Sequence, residues 1–138
     1  MRHSIVRDVF VVHEHPTSAK SWAEPEIQRL LKLEGVNKYN FDMCQYNLRI
    51  DGELVCKPTS IMTNSEVIGN HLAKHCAGDH LHIPLKGGIR ARTAATYTLE
   101  FCQSLVEGYK LHLRKHGTLK SGKRQGSFYM QGIQWTRA

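Results

Sequence analysis

Residues 42–82 read DMCQYNLRIDGELVCKPTSIMTNSEVIGNHLAKHCAGDHLH, and the rest of the chain is best interpreted around this stretch. It ends in a Cys-x-x-x-His-x-His run formed by Cys76, His80 and His82. Zinc in proteins prefers four thiolate and imidazole ligands arranged in a tetrahedron. Cys44 is the best fourth candidate, because a strand passing near the run could supply it. The reserve candidates are Cys56, His71 and His75.

The same residues have an interpretation without a metal. Histidines in a basic chain are commonly solvated, and free cysteines often pack as small hydrophobic side chains. The spacing also differs from the paired Cys-x-x-Cys patterns of standard zinc fingers. The sequence therefore leaves two alternatives open, a zinc-stabilised loop and a loop that binds no ion.

Length and composition are typical of one globular domain. The chain has 138 residues, of which 41% are hydrophobic and 22% charged. It has no apolar run long enough to cross a membrane and no signal-peptide pattern, so we expect an intracellular protein without membrane contact. The four cysteines are then expected to be reduced thiols. Nothing in the sequence separates a nuclear from a cytoplasmic location.

The charge balance favours a polyanionic partner. The formal net charge is +7, and such an excess attracts nucleic acid. A glycine-rich basic loop over residues 86–92 supplies the candidate phosphate contacts Lys86, Arg90 and Arg92. The alternative is a solvated loop that binds nothing.

The amino-terminal part predicts a buried strand followed by a polar site. Residues 9–12 are an unbroken run of β-branched and aromatic side chains, which is typical of a strand in a parallel sheet. Glu14 follows the run, and open α/β sheets place their functional residues at the carboxyl ends of such strands. Glu14 is therefore a candidate functional residue, the alternative being a solvated strand end.

The remaining pattern predicts further helices and strands of an α/β fold. Helices are expected at residues 21–35, 66–75 and 98–116, and strands at 36–48, 53–56 and 60–63. Ser65 and Thr98 are suited to begin the second and third helices, and Asp51-Gly52 is a hairpin signal. The buried face of the last helix is expected to hold Leu99, Cys102, Leu105, Val106 and Tyr109.

The chain is expected to divide into residues 1–116, an α/β domain, and residues 117–138, a basic flexible tail. Near its start, the tail carries Lys120, Lys123 and Arg124 among small polar residues, and such a composition does not build a core.

Several short motifs follow one another in order along the chain. They are Glu14-x-Pro16, Cys44-Gln45-Tyr46, residues 57–64 (KPTSIMTN), Cys76 with its histidines, and Leu99-Glu100-Phe101-Cys102. In this order they resemble the carboxyl-terminal half of DNA cytosine carbon-5 methyltransferases, in particular phage-type members and related segments of retrotransposon polyproteins. The resemblance spans roughly residues 9–109.

The resemblance implies a partial Rossmann-like, methyltransferase-like three-layer fold and makes DNA the expected nucleic acid in preference to RNA. The small zinc-stabilised loop is an additional expectation that rests on the Cys/His cluster itself. It places Glu14 where the family keeps the glutamate that holds the ring nitrogen of the flipped cytosine. It places Gln45, Lys57 and Thr59 in the segment that contributes to the catalytic face and to the DNA backbone contacts. The glycine that usually follows Cys-Gln-Tyr in the family is Asn47 here.

Two parts of such an enzyme have no counterpart in the sequence. No glycine-rich loop for S-adenosylmethionine and no Pro-Cys nucleophile precede Glu14. We therefore expect a nucleic-acid-binding remnant or fragment from a mobile element, inactive on its own. One alternative is half of a DNA (cytosine-5-)-methyltransferase, completed by a partner chain that supplies both parts and S-adenosylmethionine binding. The other is a zinc-stabilised protein-interaction module.

Overall fold

The computed structural model describes residues 11–85, 88–116 and 129–130. In these residues the strands are β1 (Val11–Pro16), β2 (Asn37–Asp42), β3 (Arg49–Ile50), β4 (Glu53–Leu54), β5 (Pro58–Thr63) and β6 (Tyr129–Met130). The α-helices are α1 (Pro25–Leu31), α2 (Glu66–Leu72), α3 (Gly88–Ala94) and α4 (Leu99–His116). Short 3-10 helices cover Lys20–Ala23 and Met43–Tyr46.

The main sheet is mixed, with strand order β2-β5-β1-β6, and β3 and β4 form a separate hairpin. The central strand β5 runs antiparallel to both neighbours. Its Ile61 lies opposite Glu14 of β1, and its Thr59 lies opposite Phe41 of β2. In the part of the main sheet that the structure describes, the short pair of β1 with β6 is parallel. The fold is thus a mixture of helices and mainly antiparallel strands.

The described strands do not show the parallel, Rossmann-like sheet that was predicted. An apolar run indicates that a strand is buried, but it carries no information about the direction of its neighbours. The run at residues 9–12 was assigned to a parallel sheet on composition alone. In the structure the long partner of β1 is the antiparallel strand β5.

The core lies between one face of the sheet and helices α2 and α4. Phe41 of β2 and Phe101 of α4 are both buried and stack with their ring centroids 5.5 Å apart. Tyr46 meets the edges of both rings, and Tyr97 stacks on the other side of Phe101 at 5.6 Å. Offset stacked and edge-on rings are the favoured aromatic arrangements, so this cluster joins the sheet to α4.

Three local predictions are confirmed. The Ser65 side chain accepts a hydrogen bond from the Ile68 amide at the start of α2, and Thr98 Oγ1 accepts one from the Phe101 amide at the start of α4. Asp51 and Gly52 have φ values of 53° and 78°, which are the left-handed conformations that a tight hairpin turn requires.

Four predicted elements are shorter than expected. The helix expected at 66–75 ends at Leu72, and the strand expected at 53–56 ends at Leu54. The helix predicted at 21–35 is divided, because Glu24 precedes a proline and is extended (φ −60°, ψ 136°). The strand predicted at 36–48 ends at Asp42, where the chain enters a 3-10 helix that Asn47 terminates in the left-handed region with φ 58°. The division of the helix arises from the restricted backbone of the residue before a proline, and the strand ends where the 3-10 helix begins.

The predicted basic loop over residues 86–92 is in part a helix, α3. Its residues after Gly88 are compatible with a helix, and the glycines that suggested a loop lie only at its beginning. The buried face of α4 also differs, because it holds Phe101, Leu105 and Gly108, whereas Leu99 is 68% exposed and Val106 is 53% exposed.

Gly108 belongs to the buried face of α4 and lies against α2. A Cβ atom there would lie 3.3 Å from the His71 ring and 3.5 Å from Ile68 Cα. Helices α2 and α4 can therefore approach closely along the Gly108 face.

Of the predicted tail, the structure describes Tyr129–Met130, which pair with Val11–Val12 of β1. The other tail residues lie outside the described ranges, so the predicted flexibility remains a prediction. Among the described helices, none has both the length and the apolar character that a membrane span requires.

The aromatic cluster provides a test of the fold. We expect Phe101→Ala to reduce the free energy of unfolding by about 3–5 kcal/mol, because it removes a fully buried ring and leaves a cavity. Leu99→Ala, on the exposed side of the same helix, should change it by less than about 0.5 kcal/mol. Urea unfolding of both variants would measure the difference. Equal losses would show that α4 does not pack through the Phe101 face.

Candidate metal centre

Four side chains from two distant parts of the chain converge at one end of the sheet. They are Cys44, Cys76, His80 and His82, and their ligand atoms all lie within 4.8 Å of one another. These are the four ligands predicted from the sequence. The group can hold a metal ion.

Two of the distances from Cys76 match the edges of a tetrahedral zinc site. Cys76 Sγ lies 3.6 Å from His80 Nε2 and 3.7 Å from His82 Nε2. For zinc–sulfur and zinc–nitrogen bonds of ordinary length, the sulfur–nitrogen edge of a tetrahedron is about 3.6 Å. His80 Nε2 and His82 Nε2 are 2.9 Å apart, so they would separate by about 0.4 Å to reach the ideal nitrogen–nitrogen edge.

Cys44 is positioned by the 3-10 helix that follows β2. The Met43 amide donates to the Lys57 carbonyl, and the Asn47 amide donates back to Cys44 O, which closes the turn. Tyr46, in the same turn, donates its hydroxyl to Leu72 O at 2.6 Å. The turn that carries the first ligand is therefore fixed to the hydrophobic core.

Asp42 holds the second ligand-bearing segment against the first. Its amide donates to Lys74 O at 2.9 Å, and its Oδ2 accepts from the Cys76 amide at 2.8 Å. Asp42 Oδ2 also lies 3.9 Å from His75 Nδ1. On the other side, the Ile83 amide donates to Leu54 O at 3.0 Å, so the ligand-bearing loop is anchored at both ends.

The loop between Cys76 and His80 contains contacts to both ligands. Gly78 has φ 74°, and its amide donates to Cys76 Sγ at 3.4 Å. His80 Nδ1 lies 2.8 Å from Asp79 Oδ1. These contacts direct the Cys76 sulfur and the His80 ring toward the centre of the cluster.

Burial, with the Cys76 sulfur nearby, raises the pKa of the Cys44 thiol to about 11. A divalent cation at the centre would reverse this effect, because it favours the thiolate. Two thiolates and two neutral imidazoles would balance the charge of a divalent ion, which suits a cluster with one buried and three half-buried ligands. All four positions are then filled by protein, so no open position remains for a substrate.

The reserve ligands do not join the cluster. Cys56 is an exposed residue. Partial desolvation of its sulfur, together with the charges of Asp42 and Cys76, raises the pKa of its thiol. His71 lies on α2 and faces Gly108, and His75 is exposed.

Glu14 occupies a second polar position, on β1. It is half-buried, and the Tyr97 hydroxyl donates to its Oε2 at 2.7 Å. Burial, together with this hydrogen bond, raises the pKa of Tyr97. The phenol therefore stays protonated and keeps donating to the carboxylate. Sequence reasoning had no signal for Tyr97, since it lies far along the chain from Glu14.

The residues predicted to contact nucleic acid have different surroundings. Gln45 is exposed. Lys57 donates its Nζ to Ala94 O at 2.8 Å, at the carboxyl end of α3. Thr59 is fully buried, and its hydroxyl donates to Lys57 O, so a direct contact from Thr59 to a nucleic acid is excluded in this conformation.

The other predicted contacts belong to the segment around α3. Arg92 is exposed in the last turn of α3. Lys86 and the side chain of Arg90 lie outside the described part of the chain. The structure therefore places one of these three cations at the surface.

Sequence reasoning also missed residues that support the cluster. Asp42 and Asp79 are each close to a ligand in sequence, and an acidic residue beside a cysteine or histidine ligand is a signal that could have identified them. Comparison with known proteins adds no further assignment, since no family model, curated protein or solved structure matches the chain.

The cluster predicts a defined metal content. Protein purified without chelators should contain close to one equivalent of zinc, and Cys76→Ser should lose it, because one of two thiolates is removed. Cys102→Ser is the matched control, since Cys102 is exposed on α4 away from the cluster. Elemental analysis would measure the zinc. A wild-type protein without bound metal that also fails to take up added zinc would contradict the assignment.

Proposed function

We propose that this protein is a zinc-stabilised nucleic-acid-binding module. The convergence of Cys44, Cys76, His80 and His82 carries the zinc part of this proposal. Four protein ligands favour a structural ion over a catalytic one. The ion would fasten the loop that follows α2 to the end of β2, because Cys44 and the other three ligands come from opposite sides of β5 in sequence.

The net charge of the whole chain, +7, favours a nucleic acid as the partner, although most of this excess lies outside the described residues. Over the described residues, twelve Lys and Arg nearly balance eleven Asp and Glu. The excess of Lys and Arg therefore lies mainly outside the described residues. The described surface can attract phosphates only where several of its cations lie close together.

One such group is the carboxyl-terminal part of α4. Lys110, Arg114 and Lys115 are all exposed there. Within the described residues Lys110 and Lys115 form no ion pair, whereas Arg114 lies 3.7 Å from Glu107. Cations at the end of a helix also interact favourably with its dipole, which is a sufficient structural reason for them. Their proximity to Lys120, Lys123 and Arg124 in sequence favours a phosphate-binding role.

Other described cations are less available for phosphates. Lys38 and Lys74 lie over the rings of Trp22 and Tyr46, with their nitrogens 4.3 and 5.4 Å from the ring centroids. Arg49 donates to Gly52 O at 2.8 Å. Among the described cations, we therefore assign the main phosphate contacts to the cations of α4 and to Arg92. Lys57 instead supports α3 through its hydrogen bond to Ala94 O.

Salt dependence tests the nucleic-acid part. The affinity for DNA should fall steeply as salt rises, and Lys110, Arg114 and Lys115 changed together to alanine should reduce the slope of log K against log salt by about 2–3. Changing Lys20, Arg29 and Lys32 together to alanine removes the same charge elsewhere and is the control. Fluorescence anisotropy with duplex DNA, single-stranded DNA and RNA would measure these slopes.

The opposite outcome has a specific meaning. If the wild type does not bind any of these nucleic acids at low salt, the nucleic-acid proposal fails while the zinc site can still stand. The protein-interaction alternative would then gain support, and the 90% exposed Leu81, between two candidate ligands, would be the first side chain to test.

The methyltransferase-like origin, with its Rossmann-like fold, remains a second proposal. One observation favours it. The Tyr97 hydroxyl holds the half-buried Glu14 carboxylate in a fixed position, and a residue that binds a nucleobase needs such a fixed position. The antiparallel neighbours of β5 weigh against it.

This second proposal predicts a loss of activity on a single substitution. The chain alone should not bind S-adenosylmethionine. If a partner chain restores methyl transfer, Glu14→Gln should lower the rate by about 10²–10⁴, because the amide keeps the shape and loses the acid. DNA binding should remain unchanged. A reconstituted enzyme with full activity after Glu14→Gln would remove the assignment.

A further inference from the structure

We propose that Asp79 is a positioning residue of the metal centre, which fixes the tautomer and orientation of His80 and thereby sets the affinity for the ion. This inference rests on the zinc part of the proposed function. It concerns a residue outside the set of four ligands.

The hydrogen bond between the two residues determines the tautomer. Asp79 Oδ1 lies 2.8 Å from His80 Nδ1. An ionised carboxylate only accepts hydrogen bonds, so His80 Nδ1 must carry the proton. In the neutral ring Nε2 then has the free lone pair, and Nε2 is the atom that faces Cys76 Sγ at 3.6 Å.

The exposure of the two side chains argues against a role in overall stability. The Asp79 side chain is 74% exposed, whereas that of His80 is 22% exposed. An exposed carboxylate paired with a histidine contributes little to the free energy of folding. Its effect on a bound ion can be larger, because a histidine ligand held by a carboxylate is oriented and more basic.

The surrounding turn directs Asp79 to this position. Gly78 adopts φ 74° and donates its amide to Cys76 Sγ at 3.4 Å. The same short turn therefore supports the sulfur of one ligand and the ring of the next. An Ala-Gly-Asp connection between Cys76 and His80 supplies both the left-handed residue and the carboxylate.

Zinc affinity measured by competition with a chelator tests the inference on the full chain. Asp79→Ala should weaken zinc binding about 10–100-fold, and Asp79→Asn, which keeps an acceptor oxygen, should weaken it less. Glu53→Ala is the control, since it removes another exposed carboxylate, from the β3–β4 hairpin. Equal affinity of Asp79→Ala and the wild type would overturn the inference.

Testing Asp79→Ala in a second variant, His80→Cys, separates an effect on the orientation of the His80 ring from effects of charge or loop structure. In His80→Cys the ligand is a thiolate, which needs no tautomer. Asp79→Ala should then leave the zinc affinity of His80→Cys unchanged. A loss of the same size in both backgrounds would overturn the inference, because Asp79 would be acting through charge or loop structure.

Nitrogen-15 NMR of the zinc-loaded wild type gives a result even if His80→Cys binds no zinc. His80 should show a protonated Nδ1 and a zinc-bound Nε2, and the Nδ1 proton should exchange faster in Asp79→Ala. Coordination through Nδ1 would overturn the inference. Absence of zinc from the wild type would instead contradict the proposed function itself, so the two failures are distinguishable.

Discussion

The metal centre depends on the two hydrogen bonds made by Asp42. Its backbone amide binds the carbonyl of Lys74, and its carboxylate binds the amide of Cys76. A carboxylate that accepts from a backbone amide forms a charge-assisted hydrogen bond, which is stronger than a neutral one. Since Asp42 is the last residue of β2, any strand register that moved it would separate Cys44 from Cys76.

The core and the cluster share one structural element, the 3-10 helix Met43–Tyr46. Cys44 faces the cluster, while the ring of Tyr46 packs edge-on against Phe41 and Phe101. The same tyrosine binds the carboxyl end of α2 through its hydroxyl. Because Cys44 is only two residues from Tyr46, a change in the aromatic packing would therefore also displace Cys44. The sheet and α4 thus provide a rigid base for an ion whose other ligands come from a loop.

Features of the fold that depend on local chemistry could be predicted from the sequence. Ser65, Thr98 and Asp51-Gly52 each act within a few residues, so their roles follow from residue type and spacing. The four candidate ligands were also found, since three of them lie in one short run. The direction of β5, the pairing of Tyr97 with Glu14 and the burial of Thr59 depend on contacts between distant segments. The face predicted for α4 was right only in part: Leu105 is buried as expected, whereas Phe101, four residues before it, was left out, and Leu99 and Val106 are exposed.

The uneven spacing of the ligands has a consequence for the order of folding. Cys76, His80 and His82 lie within one short segment, so in the proposed zinc site they would capture the ion before the rest of the chain is organised. Closing such a short loop costs little chain entropy, whereas bringing Cys44 to the same ion requires a much longer loop to close. The Cys44 bond would thus form last, when β2 and the aromatic cluster are in place. Metal capture and completion of the metal site are then separate steps, and only the second reports that the domain has folded.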